Sequence, residues 1–165
     1  MVYPHWILVV AQQGKERLAT QNIGRQGYEF YLPMIREVSV RAGVKTLLAK
    51  PLFPRYIFVK IAGRWSSLTG TYGVSAVVMD GKAPRYVPER IVKQLVSRED
   101  ESGFVVLDEE EGLRSGSSVK VKSGVLEGQI GIYQGMSADE RAIVLFKLLG
   151  ADRQLRLDPK VLVAV

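Results

Sequence analysis

The sequence predicts an α+β protein with a mixed domain over residues 1–96, a linker over 97–113 and a small β-barrel over 114–165. Apolar, β-rich segments alternate with amphipathic helical segments in the first part. The last part contains short strand-like segments at short intervals, separated by glycines, which is typical of a small barrel. Between these parts, residues 97–113 contain seven acidic residues and a single basic residue, Arg98. This charge pattern indicates a linker.

The first elements of the chain are a buried strand and an amphipathic helix. Residues 6–11 are apolar and β-rich, which predicts the strand. Gln12, Gln13 and Gly14 then interrupt the pattern. Residues 15–26 place apolar side chains on one side and polar ones on the other, which predicts the helix.

The most informative stretch is the apolar run at 51–59. Its two prolines restrict the backbone and predict a turn, after which aromatic and β-branched residues predict a strand. Because side chains alternate along a strand, Tyr56 and Phe58 share one face, while Ile57 and Val59 share the other. A strand that is apolar on both faces is buried on both sides. One cover is the domain's own core, and the other is either a helix of this domain or a partner protein.

The remaining elements follow from the same patterns. Polar and apolar residues alternate over 34–50 around Ala42-Gly43, which predicts a long hairpin with Glu37, Ser39 and Arg41 on its wet face. Within the linker, 104–107 is apolar and could dock as a short strand. The other predicted elements are strands at 28–33, 73–79, 118–123 and 142–149, a short helix at 63–70 and a helix opened by Pro88.

Composition and charge limit the classes of function. Hydrophobic residues make up 47% of the chain, enough for a packed core, and the net charge is +6. Residues 1–96 hold 14 Lys/Arg and 5 Asp/Glu, a net +9, whereas residues 97–165 hold 9 and 12, a net −3. A basic first part favours contact with nucleic acid through phosphates, although such charge can also serve solubility alone.

The sequence offers no catalytic or metal-binding pattern. His5 is the only histidine, and there are no cysteines, so thiolate chemistry and disulfides are excluded. No nucleotide-binding loop, zinc motif or nucleophile motif occurs. We therefore expect a binding protein rather than an enzyme, with no cofactor and no metal. The lack of cysteines, of a secretory signal and of a membrane-spanning run predicts a cytoplasmic protein that does not use a membrane.

Several motifs, taken together and in their order along the chain, resemble those of the NusG-type transcription elongation and antitermination factors. The wording at 51–59 is closest to the specialised RfaH-like branch. The other matching residues are Trp6, Gly14, Glu16, Tyr31-Leu32-Pro33, Trp65 and Gly73-Val74. The resemblance implies an N-terminal α/β sandwich and a C-terminal KOW-like barrel of SH3 type, with Gly128 at the glycine position of the motif. It also implies a monomer.

The resemblance further implies contacts with RNA polymerase and with the non-template DNA strand. The residues that match the face for the polymerase clamp helices are Tyr56, Phe58, Val10 and Leu52. The residues where the family can touch the second large polymerase subunit include Trp65, Ser66 and Ser67. The matching DNA-facing residues are Asn22, Arg25, Gln26, Gln12, Gln13, Thr71 and Tyr72. This chain departs from RfaH in having glutamines before the helix and tyrosine at 72, where RfaH has basic residues.

For the C-terminal module the resemblance implies recruitment of the termination factor Rho or of a small-subunit ribosomal protein. The matching surface includes Leu126, Leu148 and Leu149, which could equally be barrel core. The predicted function is modulation of pausing and termination, closest to processive antitermination. The alternative is an RNA- or ribosome-associated KOW-domain protein. The sequence leaves open a housekeeping or specialised role and a second, helical state of the C-terminal module.

Overall fold

The structure is a computed structural model that describes residues 3–107 together with Arg141 and Leu145. Its strands and helices are β1 (His5–Ala11), α1 (Glu16–Arg25), β2 (Glu29–Tyr31), β3 (Met34–Arg41), β4 (Val44–Pro51), β5 (Tyr56–Ile61), a 3₁₀ helix (Ser66–Gly70), β6 (Val74–Val77), β7 (Met79–Asp80), β8 (Ala83–Pro84), β9 (Tyr86–Val87) and α2 (Glu89–Ser97). The described part is thus a mixed fold of mainly strands and few helices, as predicted. No helix within these residues is long and apolar enough to cross a membrane.

The central sheet has the order β2-β5-β1-β6, and β9 also pairs with β1. The two long strands in the middle, β1 and β5, pair antiparallel, with Val9 opposite Ile57. Both strands are almost wholly buried. This confirms the predicted first strand and the predicted burial of both faces of the strand after the prolines.

Two apolar clusters cover the two faces of this sheet. The α1 cluster comprises the buried residues Ile7, Val9, Ala11, Ala19, Ile23, Ile57, Val59, Ile61, Leu68, Val74 and Val77. The α2 cluster comprises Trp6, Leu8, Val10, Ile35, Leu52, Phe53, Tyr56, Phe58, Val87, Ile91, Val92, Leu95, Val105 and Leu145. Each cluster includes residues from one of the two helices, so the sheet is packed on both sides.

The turn before β5 is fixed by hydrogen bonds around Arg55. Its backbone adopts a φ of +74°, which is costly for a residue with a Cβ. The Ala11 amide donates to the Arg55 carbonyl over 2.7 Å, and the Arg55 amide donates to Glu16 Oε1 over 3.1 Å. The amide of Tyr56 donates to the Phe53 carbonyl over 3.0 Å. The predicted turn is therefore confirmed, and it joins the end of β1 to the start of α1.

Strands β3 and β4 form a projecting hairpin, which we call the ribbon. It turns at Ala42 and Gly43, whose φ angles of +49° and +76° suit a two-residue turn of type I′. The predicted hairpin is confirmed, but its apolar side is also exposed. Val38 and Val40 keep 55% and 59% of their surface exposed, so this end of the ribbon projects from the rest of the described residues.

Three further predictions differ from the structure in detail. The strand predicted at 73–79 is divided into β6 and β7, and the helix predicted at 63–70 is a 3₁₀ helix that begins at Ser66. In 104–107, Phe104 and Val105 make isolated bridges to Met34 and Glu99, so this segment docks on the domain.

The strand predicted at 142–149 is wrong at Leu145, which has helical backbone, as does Arg141. A short apolar run fits a buried strand and a buried helix equally well by periodicity. The rest of the predicted barrel, including the strand at 118–123, lies outside the described residues.

Candidate protein-docking and nucleic-acid-binding faces

The four residues proposed for clamp-helix contact, Val10, Leu52, Tyr56 and Phe58, lie together in the α2 cluster. We call them the docking face. The sheet places Val10 opposite Tyr56 on neighbouring strands, and Leu52 belongs to the turn that precedes β5. All four are buried, with at most 3% of their surface exposed. The structure therefore brings these residues together as the resemblance implied, but it also covers them.

Two residues from far along the chain take part in that cover. Leu145 is fully buried within the α2 cluster. Arg141 is 5% exposed, and its Nε donates a hydrogen bond to the Leu52 carbonyl over 2.6 Å. A charged donor makes a stronger bond to a carbonyl than a neutral one. Sequence reasoning missed both residues, because nothing local marks a contact between positions 89 residues apart.

Aromatic side chains give the docking face its shape. The rings of Phe53 and Phe58 meet edge to face at 6.4 Å, and Tyr31 is tilted against Phe58 at 6.1 Å. Burial raises the pKa of Tyr56 to about 12, although the nearby charge of Arg55 opposes this. The Tyr56 hydroxyl therefore stays protonated to a higher pH than that of an exposed tyrosine.

Trp65, Ser66 and Ser67 lie on the other side of the sheet. Trp65 packs against the α1 cluster, whereas both serines are exposed at the start of the 3₁₀ helix. The Tyr28 hydroxyl lies 2.7 Å from Ser67 Oγ and donates to the Arg64 carbonyl over 3.0 Å. These contacts fix the loop as a second exposed surface, separate from the docking face.

The residues proposed for DNA contact are Gln12, Gln13, Asn22, Arg25, Gln26, Thr71 and Tyr72, and we call them the polar face. Asn22 Nδ2 donates to the Tyr72 carbonyl over 3.0 Å, and Gln26 Nε2 donates to Thr71 Oγ1 over 2.7 Å. These two bonds tie helix α1 to the loop before β6. Arg25 is exposed, and its Nη1 reaches Asn22 Oδ1 at 3.4 Å.

A cation that sequence reasoning did not assign to this face also belongs to it. Lys15 Nζ lies 5.4 Å from the centre of the Tyr72 ring and donates to Gln12 Oε1 over 3.0 Å. Tyr72 itself is 66% exposed, so one side of its ring remains open. Gln13 is exposed in the same β1–α1 loop. The structure thus brings these residues together and adds Lys15. Thr71 differs from the prediction, because it is only 5% exposed and its hydroxyl donates to the Ser67 carbonyl over 3.1 Å, so its side chain holds the loop instead of facing solvent.

Close backbone packing holds helix α1 and the loop before β6, the two parts of the polar face, at a fixed distance. Gly73 has a φ of +94°, and a Cβ at this position would lie 2.8 Å from the Ala19 amide nitrogen. The Gln12 amide donates to the Gly73 carbonyl over 2.7 Å. Only glycine fits both the left-handed backbone and the approach of α1. The glycine therefore sets the distance between helix α1 and Tyr72.

Two further points concern metal binding and the C-terminal partner residues. Within residues 3–107 and the two described C-terminal residues, no group of His, Asp and Glu could hold a metal ion. The proposed C-terminal partner residues Leu126, Leu148 and Leu149 lie outside the described part of the chain.

Comparison with protein-family models assigns the chain to a known family. A family model described as "Transcription termination factor nusG" matches residues 4–96, more than half of the chain. The chain belongs to the NusG family. The prediction of a NusG-type factor is therefore confirmed.

Among its curated relatives are transcription termination/antitermination proteins NusG of Staphylococcus. The protein of S. carnosus is 26% identical over 155 residues, covering 87% of this chain and 81% of the relative. That of S. epidermidis is 27% identical with the same coverage. A solved structure titled "Domain interaction in Thermotoga maritima NusG" matches at 19% identity with a TM-score of 0.45, covering 79% of this chain and 78% of the other.

Proposed function

We propose that this NusG-family protein is a transcription elongation factor that binds RNA polymerase through its docking face and non-template DNA through its polar face. On this proposal it modulates pausing and termination, acting most closely as a processive antiterminator of the RfaH-like kind. The observation that carries the proposal is a buried apolar face, occupied by Arg141 and Leu145, on the opposite side of the sheet from an exposed polar face.

The occupant of the docking face supports a helical partner. Arg141 and Leu145 both have helical backbone and are buried, Leu145 in the α2 cluster and Arg141 against the Leu52 carbonyl. A surface that accepts an apolar side chain and a guanidinium from a helix suits helix-in-groove recognition. The clamp helices of polymerase are such a partner, and binding them requires Arg141 and Leu145 to leave.

The polar face suits a single DNA strand. Arg25 is exposed and can reach a phosphate or a base edge, and the open side of Tyr72 can stack on a base. Lys15 adds a cation beside that ring. The net charge of +9 over residues 1–96 draws the phosphate backbone towards this domain. Trp65, Ser66 and Ser67 provide a further contact with the second large polymerase subunit.

The C-terminal part completes the proposal. On this proposal residues 114–165 are the KOW-like module, and its residues Leu126, Leu148 and Leu149 meet Rho or a small-subunit ribosomal protein. The predicted linker of residues 97–113, part of which docks on the domain of residues 1–96, joins the two modules and raises the effective concentration of the second one near the polymerase. The factor works as a cytoplasmic monomer without a cofactor or catalytic group.

Capture of purified RNA polymerase by the full chain tests the proposal. The expected result is retention of polymerase and read-through of a pause site and a terminator in a purified transcription reaction. Purified ribosomes serve as the competing ligand in the same assay. Retention of ribosomes but not of polymerase would overturn the proposal and favour an RNA- or ribosome-associated protein.

A further inference from the structure

The chain folds back on itself after helix α2, over residues 98–107, which we call the 98–107 segment. The Val106 amide donates to the Arg98 carbonyl over 2.9 Å, and the Asp100 amide donates to the Phe104 carbonyl over 2.8 Å. The Val105 amide then donates to the Met34 carbonyl over 2.8 Å, at the root of the ribbon. This segment is thus attached to β3 at Met34 by a backbone hydrogen bond and a β-bridge.

Arg36 on β3 holds the turn of this segment with two kinds of contact. Its Nη1 lies 2.7 Å from Asp100 Oδ2, and its guanidinium lies 4.3 Å from the centre of the Phe104 ring. Asp100 Oδ1 accepts hydrogen bonds from the amides of Ser102 and Phe104 over 2.9 and 3.1 Å. The bond from the Phe104 amide is the main cause that lowers the pKa of Asp100. One arginine therefore fastens both ends of the turn.

The buried side of the 98–107 segment belongs to the same cluster as the docking face. Val105 is 4% exposed and lies in the α2 cluster with Tyr56, Phe58 and Leu145. Leu107 packs against this cluster. The hydroxyl of Tyr31, whose ring packs on Phe58, donates to Glu99 Oε1 over 2.6 Å.

We propose that the 98–107 segment and Leu145 cover the docking face cooperatively, and that Arg36 is the positioning residue that locks the segment. Val105 and Leu145 are both buried in the α2 cluster, so the departure of either one exposes apolar surface of the cluster that holds the other. Release of the segment from Arg36 then promotes departure of Leu145. This coupling goes beyond the proposed function, because it is a property of the free chain and needs no polymerase.

The absence of native cysteines allows a direct test. In the full chain carrying Leu145→Cys, the rate of thiol labelling reports how often position 145 leaves the cluster. Hydrogen exchange of the Val105 and Val106 amides reports opening of the segment. The perturbing variant is Arg36→Gln, which removes the ion pair and the stacking. The matched control is Glu37→Gln, which breaks the 3.1 Å ion pair with Lys50 on the same ribbon without touching the segment.

The expected result is a rise of about fivefold in both exchange and labelling for Arg36→Gln. Arg36→Lys should give a smaller rise in both, because it keeps the charge for Asp100 but loses the planar stacking on Phe104. Glu37→Gln should change neither rate. Circular dichroism checks that each variant is folded, and Asp100→Asn replaces Arg36→Gln if the latter is not.

Three outcomes would overturn the proposal. Faster exchange at Val105 and Val106 with unchanged labelling at position 145 would show that the two covers act independently. Unchanged exchange in Arg36→Gln would show that Arg36 is not the lock. If the Leu145→Cys parent is labelled at the rate of an unfolded chain, position 145 does not cover the docking face.

Discussion

Replacing Leu145 with alanine should open the docking face and strengthen binding to RNA polymerase. Leu145 is fully buried, and alanine lacks three of its carbon atoms. At about 0.8 kcal/mol for each buried carbon, the covered state loses about 2.4 kcal/mol relative to the open one. That loss shifts the equilibrium between covered and open chains by about 50-fold. Alanine also favours helix, so local propensity does not oppose the contact.

The assay is equilibrium binding of fluorescently labelled full chain to purified core polymerase. The apparent affinity should rise by up to about 50-fold, reaching its limit when the face is fully open. Leu47→Ala is the matched control, because Leu47 lies on the ribbon with 60% of its surface exposed. The reasoning would be refuted by an affinity equal to that of the control. It would also be refuted by weaker binding, which would make Leu145 a direct polymerase contact.

Three other predictions concern the polar face, the packing of α1 and the titration of Tyr56. Arg25→Ala should weaken crosslinking to the non-template strand and reduce the salt slope of DNA binding by about 0.7, while polymerase stays bound. The control is Arg17→Ala, which removes an exposed arginine of the same helix and should change neither the crosslinking nor the salt slope. Gly73→Ala should destabilise the fold by about 2 kcal/mol or more in urea denaturation, because its Cβ would meet the Ala19 backbone. Gly81→Ala, where no atom lies within 4 Å, should cost about 1 kcal/mol. Equal losses in the two variants would contradict the packing argument. Because burial raises the pKa of Tyr56 to about 12, its contribution to stability should be complete below about pH 10 and disappear as the pH rises towards 12. Tyr56→Phe should reduce the alkaline loss of stability but not abolish it, because burial and the hydrogen bond to Glu99 also raise the pKa of Tyr31. An unchanged alkaline denaturation curve would show that Tyr56 does not contribute.

Local sequence patterns were sufficient for much of the fold. Residues 6–11 and 56–59 are apolar on both faces, and such runs need a cover on each side of the sheet. The alternation over 34–50 and the Ala42-Gly43 pair fixed the ribbon and its turn. What the pattern could not give was the state of Val38 and Val40, because alternation predicts which residues share a face but not whether another element packs on it.

The contacts that define the two faces depended on long-range packing. Lys15 meets Tyr72, and Arg141 meets the Leu52 carbonyl, across separations that no periodicity reveals. The helical backbone of Leu145 is equally a tertiary matter, since an apolar run of that length suits strand and helix alike. Tyr56 and Phe58 were expected as partner contacts, and the structure buries both in the α2 cluster, to which Leu145 also belongs.

The most direct test of the central claim is photo-crosslinking from position 56. p-Azidophenylalanine replaces Tyr56 in the full chain, and the matched control carries the same probe at Tyr86, which is 53% exposed. In the free chain, the probe at 56 should crosslink to the neighbourhood of Arg141 and Leu145. With polymerase added, that adduct should decrease and one with the clamp helices should appear. An intramolecular adduct unaffected by polymerase, with no clamp-helix adduct beyond that of the control, would contradict docking through this face.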